Sequence, residues 1–185
     1  MALSISITRL YSSLDFILDQ AKAATFDNYR GHNMEDSFSI LDGDKLVLAV
    51  KVQTVANMQD LEKGAAFLHT IEPGEFFIRA FVPQRQFYGD IHGIVGAKTM
   101  AGELIDYNSI TATNPYRWLV HDTQKKREYP DGSKFGPGIA VRSAWSDGCF
   151  IMTQASLTAV SAAFKKHGIK KDQLVPTILK MEGRK

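Results

Sequence analysis

Apolar and polar positions alternate strictly in Ser4-Ile5-Ser6-Ile7-Thr8, which is the period of a half-buried strand. Leu10, Leu14, Ile17, Leu18 and Ala21 then recur at helical spacing, so a strand followed by an N-terminal helix is predicted. The polar stretch from Phe26 to Asp36, with Gly31, His32 and Asn33, reads as a loop. The clearest local signal follows. Phe38-Ser39-Ile40-Leu41 and the run Leu46 to Thr54 flank Asp42-Gly43, a turn dipeptide that tolerates the positive φ of a tight hairpin. Val55 to Leu68 carries Met58, Leu61, Ala65 and Leu68 near a helical period, while Gly64 weakens a long helix, so the segment reads as a short helix or a long excursion. Glu72-Pro73-Gly74 is a turn that launches the β-rich run Phe76 to Val82, ended by Pro83. Further strands are predicted at His92 to Val95, Leu104 to Tyr107, Tyr116 to His121 and Ile139 to Trp145, with a short apolar run, Phe150-Ile151-Met152, directly after Cys149.

From Thr153 the period becomes helical. Ala155, Leu157, Ala159, Val160, Ala163 and Phe164 form an apolar stripe, Lys165 and Lys166 suit the last turn, and Gly168 is placed to end the helix. Asp172 as a cap and Pro176 as a kink predict one more short helix through Leu179. The fold class expected is mainly β (α+β), a sandwich- or barrel-like core with an N-terminal helix and a helix after Cys149. No repeat, low-complexity tract or linker divides the chain, so residues 1–185 are expected to form a single domain with an insertion loop at 122–138. That loop lacks any alternation, and loops longer than ~12–15 residues tend to be functional.

Charge narrows the partners. Lys and Arg number 22 against 20 Asp and Glu, a net charge of +2. Nucleic acid or an anionic membrane surface would require a concentrated basic footprint, so neither is an expected partner. Lys125-Lys126-Arg127 reads as a solvated run, and Asp15, Asp19 and Asp27 as a solvated helix face. No stretch of ~18 apolar residues exists to span a membrane. Arg9, Asp15 and Asp19 interrupt the apolar residues of Met1 to Thr25, so no Sec-type signal is expected.

Chemistry concentrates on one sulfur. Cys149 is the single cysteine, which excludes an internal disulfide and any CxxC redox or zinc site, and no metal or cofactor is expected. It stands just past the Gly-containing turn Ser146-Asp147-Gly148, where successive backbone N–H groups can converge in front of a thiolate. A nucleophilic thiolate is usually activated by an imidazole. His121 closes the strand that precedes the one leading to Cys149, so neighbouring pairing would bring the two together; His92 is the rival base. His32 reads as exposed, His167 as a surface charge favoured by the helix dipole, and His69 lacks any such relation to Cys149. The alternative for Cys149 is a buried structural thiol.

Trp118-Leu119-Val120-His121 followed by Ser146-Asp147-Gly148-Cys149-Phe150 resembles the paired signature of the L,D-transpeptidase catalytic domain family, in which a strand-end His precedes a Ser/Thr-x-Gly-Cys turn. Ile71-Glu72-Pro73-Gly74-Glu75-Phe76-Phe77-Ile78 is similar to that family's P-x-G-x-[YF] lead-in to a central strand. The resemblance covers roughly Phe38 to Phe164. It implies a ping-pong acyl transfer on peptidoglycan stem peptides, with Cys149 as nucleophile, His121 as base, Gly148 and the amides around Cys149 as the oxyanion pocket, and Ser146 supporting the turn. Water instead of an amine as acceptor would make the enzyme an L,D-carboxypeptidase. Asp147, Trp145, Arg142 and Trp118 are the candidate substrate-binding residues, with Arg117 a further candidate cation. Two departures stand out: Asp147 occupies a place the family usually gives to His or Asn, and Ile151 a place it commonly gives to Arg. The insertion after His121 is also longer than the family's usual spacing, as a lid or partner-binding loop would be. The resemblance implies work in the periplasm or cell wall, reached by a non-Sec route or after signal removal. The other function classes are a non-catalytic module that binds wall peptides or a protein partner, a signal-less toxin or effector with the same Cys/His chemistry, and a cysteine hydrolase of a non-wall amide.

Overall fold

The structure, a computed structural model, describes residues 2–12, 35–56, 66–83, 89–106, 118–122 and 148–183. Ten strands lie among them: β1 (Leu3–Leu10), β2 (Asp36–Asp42), β3 (Lys45–Val52), β4 (Gly74–Val82), β5 (Ile91–Val95), β6 (Ala97–Lys98), β7 (Leu104–Ile105), β8 (Leu119–His121), β9 (Phe150–Ile151) and β10 (Leu174–Glu182). One helix, α1 (Gln154–Lys166), separates the last two. The fold is mainly β, as the alternation predicts.

Eight strands form one sheet in the order β3-β2-β1-β10-β4-β5-β8-β9, and β6 pairs with β7 separately. The β1/β10 and β8/β9 pairs are parallel and the other pairs of the large sheet are antiparallel. The sheet curls until its ends meet: just beyond β3, Gln53 forms an antiparallel bridge to Ile151 of β9, its N–H donating to the Ile151 carbonyl at 2.7 Å and its carbonyl accepting the Ile151 N–H at 3.0 Å. Closure of this kind removes an exposed strand edge.

Alternation decides which side chains face the core. Leu3, Ile5 and Ile7 of β1, Phe38 and Ile40 of β2, Phe76, Ile78 and Ala80 of β4, and Val175 and Leu179 of β10 are buried, whereas their strand neighbours are half-buried or exposed. Leu157, Val160 and Phe164 of α1 complete this core. The helix starts where the sequence says it should. Thr153 is the N-cap, its Oγ1 accepting the Ser156 N–H at 3.1 Å, and Gly168 follows the C-cap His167 with φ +73°.

The Asp42-Gly43 hairpin forms as expected, with Gly43 at φ 60°. Two expectations are corrected. Leu10 belongs to β1 and pairs with Glu182, so any helix begins later, at Tyr11 and Ser12; beyond Ser12 the expected N-terminal helix lies outside the described residues. The short helix expected from Asp172 to Leu179 is instead strand β10, wedged between β1 and β4. Asp172 takes φ 64° and donates its N–H to the Ala80 carbonyl at 2.7 Å, which starts a strand. Inward Val175, Thr177 and Leu179 keep period 2, and pairing on both edges outweighs a local capping signal and Pro176. Of the Val55–Leu68 segment, read as a short helix or a long excursion, residues 57–65 lie outside the described residues, and Ala66–His69 is one 3-10 turn. The expected strand at Ile139–Trp145 and all of the insertion loop beyond Asp122 also lie outside them.

β4 carries an irregularity that matters later. Its register with β5 shifts between Arg79 and Val82, and Phe81 adopts φ 53°, a left-handed conformation that costs a non-glycine residue roughly 1–2 kcal/mol.

Candidate active site around Cys149

The parallel ladder of β8 and β9 builds the site. Val120 pairs with Phe150 and His121 with Ile151, while the Met152 N–H donates to the His121 carbonyl at 3.1 Å. Cys149 therefore enters beside Leu119, and its half-buried Sγ accepts the Leu119 N–H at 3.3 Å. A donor aimed at sulfur favours negative charge on it. His121 lies two residues further along β8.

His121 is 6% exposed, and its Nδ1 contacts the carbonyl oxygen of Asp122. A carbonyl only accepts, so Nδ1 carries the hydrogen and the basic lone pair of the neutral ring sits on Nε2. The Asp122 carboxylate is turned elsewhere, accepting the Gly89 N–H at 3.0 Å. One side of the site thus has a thiol with a backbone donor and a strand neighbour with its tautomer set by a backbone acceptor.

Gly148, directly before Cys149, is held by a second contact. Gly148 has φ +112°, and a Cβ there would collide with Nε1 of Trp118 and with the His69 carbonyl oxygen. Those two atoms are themselves bonded, the indole N–H donating to the carbonyl at 3.0 Å. The His69 ring stands edge-on to Trp118 with centroids 6.4 Å apart. Only glycine lets the backbone run over this pair.

Three of the residues singled out from sequence therefore meet at the start of the β8/β9 ladder, Cys149, Gly148 and Trp118, while His121 stands two residues along β8 from the Leu119 that donates to the sulfur. Ser146, Asp147, Trp145 and Arg142 lie outside the described residues, as does Arg117. His92, the rival base, faces α1. It is fully buried, Nδ1 accepts the Phe81 N–H at 3.0 Å, Nε2 lies 3.1 Å from Ser161 Oγ, and the rings of Phe81 and Phe164 pack edge-on with centroids 5.1 and 4.9 Å away. Burial, opposed by Asp90 and reinforced by Lys165, pushes its imidazole down to about 3. A ring so enclosed is core. His69 is the histidine that sequence reasoning passed over, because nothing local connects a 3-10 turn to Gly148, so far along the chain.

A groove of about 630 Å³ lies on the outer side of β1, β10 and β4, among Ser4, Ser6, Phe77, Pro176 and Lys180, and includes neither Cys149 nor His121. Among the described residues no group of three or more His, Cys, Asp or Glu side chains converges as a metal site, and no helix is long and apolar enough to cross a membrane.

No family model matches the chain. A protein of Treponema pallidum (strain Nichols), described as an uncharacterized protein, is 30% identical over 182 residues, covering 94% of this chain and 78% of its own length. The chain belongs to the same family as that protein. A solved structure described as the Ldtfm-avibactam carbamoyl enzyme aligns with 100% of this chain and 50% of its own, at 12% identity and a TM-score of 0.39. This chain thus spans half the length of that structure.

Proposed function

We propose that the chain is a cysteine-dependent acyltransferase or peptidase acting on peptidoglycan stem peptides through a thioester on Cys149. The observation that carries this reading is the parallel β8/β9 pairing, which sets the Leu119 N–H on Sγ and His121 two residues along the neighbouring strand. The thiol proton passes to Nε2 of His121 as Sγ attacks the carbonyl carbon of the third stem residue, a diamino acid. The resulting oxyanion is met by backbone N–H groups at Gly148 and Cys149. Collapse breaks the C–N bond, and the departing D-amino acid takes the proton back from His121. An amine of a second stem, or water, then attacks the thioester, loses a proton to His121 and releases the thiolate. Amine gives a cross-link and water a trimmed stem. Such substrates place the protein at work in the periplasm or cell wall.

Purified protein incubated with muropeptides should yield products one terminal residue lighter, or cross-linked dimers, by mass spectrometry. Cys149→Ala should abolish both while leaving the circular dichroism spectrum unchanged. Turnover that survives this substitution refutes the thioester. Binding of muropeptides without turnover, together with a Cys149 that alkylates no faster than a model thiol, would favour the non-catalytic binding module.

A further inference from the structure

Four consecutive residues beyond β3, Gln53 to Ala56, connect to both sides of Cys149. At one end Gln53 exchanges two backbone hydrogen bonds with Ile151, two residues after the cysteine. At the other, the Ala56 N–H donates to Thr70 Oγ1 at 2.9 Å. Thr70 adjoins His69, whose carbonyl holds the Trp118 indole against Gly148, the residue before the cysteine.

Between those ends, Thr54 is locked by two charged residues at zero exposure. Arg9 donates from Nε to Thr54 Oγ1 at 2.8 Å and from Nη2 to the Thr54 carbonyl at 3.1 Å. The Asp36 carboxylate accepts from Thr54 Oγ1 at 2.7 Å and from the Thr54 N–H at 3.3 Å, and its other oxygen accepts the Leu10 N–H at 2.9 Å. Every polar group of Thr54 is used. Burial pulls the Arg9 guanidinium down to about 10 while Asp36 pulls it up, so it stays charged at neutral pH. Arg9 Nη1 is buried with no hydrogen-bond partner. Well-packed apolar residues often replace such charge clusters without loss of stability, so a cluster of this kind is weak evidence of a purely stabilising role.

We infer that Arg9, Thr54 and Asp36 are positioning residues, a buried charge lock that fixes the 53–56 segment and, through Ile151 and Thr70, the place of Cys149 Sγ relative to the Leu119 N–H and His121. The inference rests on Cys149 being the nucleophile of the proposed reaction. The lock touches no reacting atom. Its effect is to hold the sulfur where its donor and its base can reach it.

Because the chain has one cysteine, iodoacetamide reports on it alone. The test follows the alkylation rate of the full chain from pH 5 to 10 by intact mass, for the wild type, Thr54→Val, Thr54→Ser and Asp36→Asn. Amide exchange of the peptide spanning 148–153 is measured alongside. Thr54→Val keeps the shape and removes the hydroxyl relay; the alkylation midpoint should move by about one pH unit toward an ordinary thiol, a roughly tenfold loss of rate at neutral pH. Exchange at Ile151 should quicken, Thr54→Ser should restore both, and Asp36→Asn should behave like Thr54→Val. A folded Thr54→Val with the wild-type profile and wild-type exchange at Ile151 overturns the inference; if Thr54→Val fails to fold, the same result in Asp36→Asn does so. Should the wild type show an ordinary thiol and no muropeptide turnover, the proposed reaction fails, and unchanged exchange at Ile151 in the variants is then what sinks the lock.

Discussion

Acid should unfold this protein through His92. The unfolded chain binds a proton on this imidazole near pH 6.5, whereas the folded chain resists until about pH 3, because the ring is buried between Phe81 and Phe164. A folded value below the unfolded one means that stability present above pH 6.5 is lost as the pH falls, because in that window the unfolded state takes up the extra proton. Each unit of difference is worth about 1.36 kcal/mol, so the loss down to pH 3 is on the order of 5 kcal/mol. Domains have about 5–15 kcal/mol in total, so this one group can decide the acid midpoint.

The geometry says why the folded state refuses the proton. Nδ1 accepts the Phe81 N–H, and a protonated Nδ1 can only donate, so charging the ring also orphans an amide at a strained bulge. The nearest charges are Asp90 and Lys165, which bridge each other at 3.0 Å with half or more of each side chain exposed, so their effects on the ring oppose each other. The assay is urea unfolding from pH 7.5 to 3.5, comparing wild type with His92→Asn, which keeps an acceptor near Phe81 but does not titrate. Whatever the substitution costs at pH 7.5, the gap between the two curves should shrink as the pH drops, approaching about 1.4 kcal/mol per unit well below pH 6.5. Parallel curves across that range would refute the reasoning.

Three further outcomes follow from the contacts. Gly148→Ala should cost about 2 kcal/mol or more, from its positive φ and from displacing the Trp118–His69 hydrogen bond; fluorescence of the variant should show Trp118 more exposed. Thr153→Ala removes the cap of α1 and should lower stability by about 1 kcal/mol in thermal unfolding, with Thr153→Ser close to wild type. Phe164→Ala should lose roughly 3–5 kcal/mol in urea unfolding, because a fully buried ring that flanks His92 leaves a cavity the helix cannot close.

What could be read from sequence was what the chain encodes locally. The Asp42-Gly43 hairpin, the alternating β1 and the capped α1 each need only neighbours along the chain, and each formed. β10 departs from its local signals, because its neighbours in space, β1 and β4, are remote in sequence, whereas a capping Asp172 with Pro176 points to a short helix. Arg9 was visible only as an interruption of an apolar stretch. Yet the alternation Leu3, Ile5, Ile7 places residue 9 inward, and that is where the structure finds it. An inward arginine in an otherwise apolar register was a signal, although its partner Thr54 was not deducible.

These buried polar side chains share one task. A regular ladder satisfies its own amides, and wherever this sheet departs from regularity an orphan N–H must find another acceptor. At the β4 bulge the Phe81 N–H finds His92; at the ends of β1 and β3 the Leu10 and Thr54 N–H groups find Asp36; past β3 the Ala56 N–H finds Thr70. At the start of the β8/β9 ladder the Leu119 N–H finds the sulfur of Cys149. The first four acceptors are nitrogen or oxygen, which accept well when neutral or already ionised. A neutral thiol accepts weakly, and the same sulfur as a thiolate accepts strongly. The site that the backbone irregularity creates is therefore better satisfied by the reactive form of the cysteine than by its resting form, and that is the physical reason to seek chemistry at this sulfur.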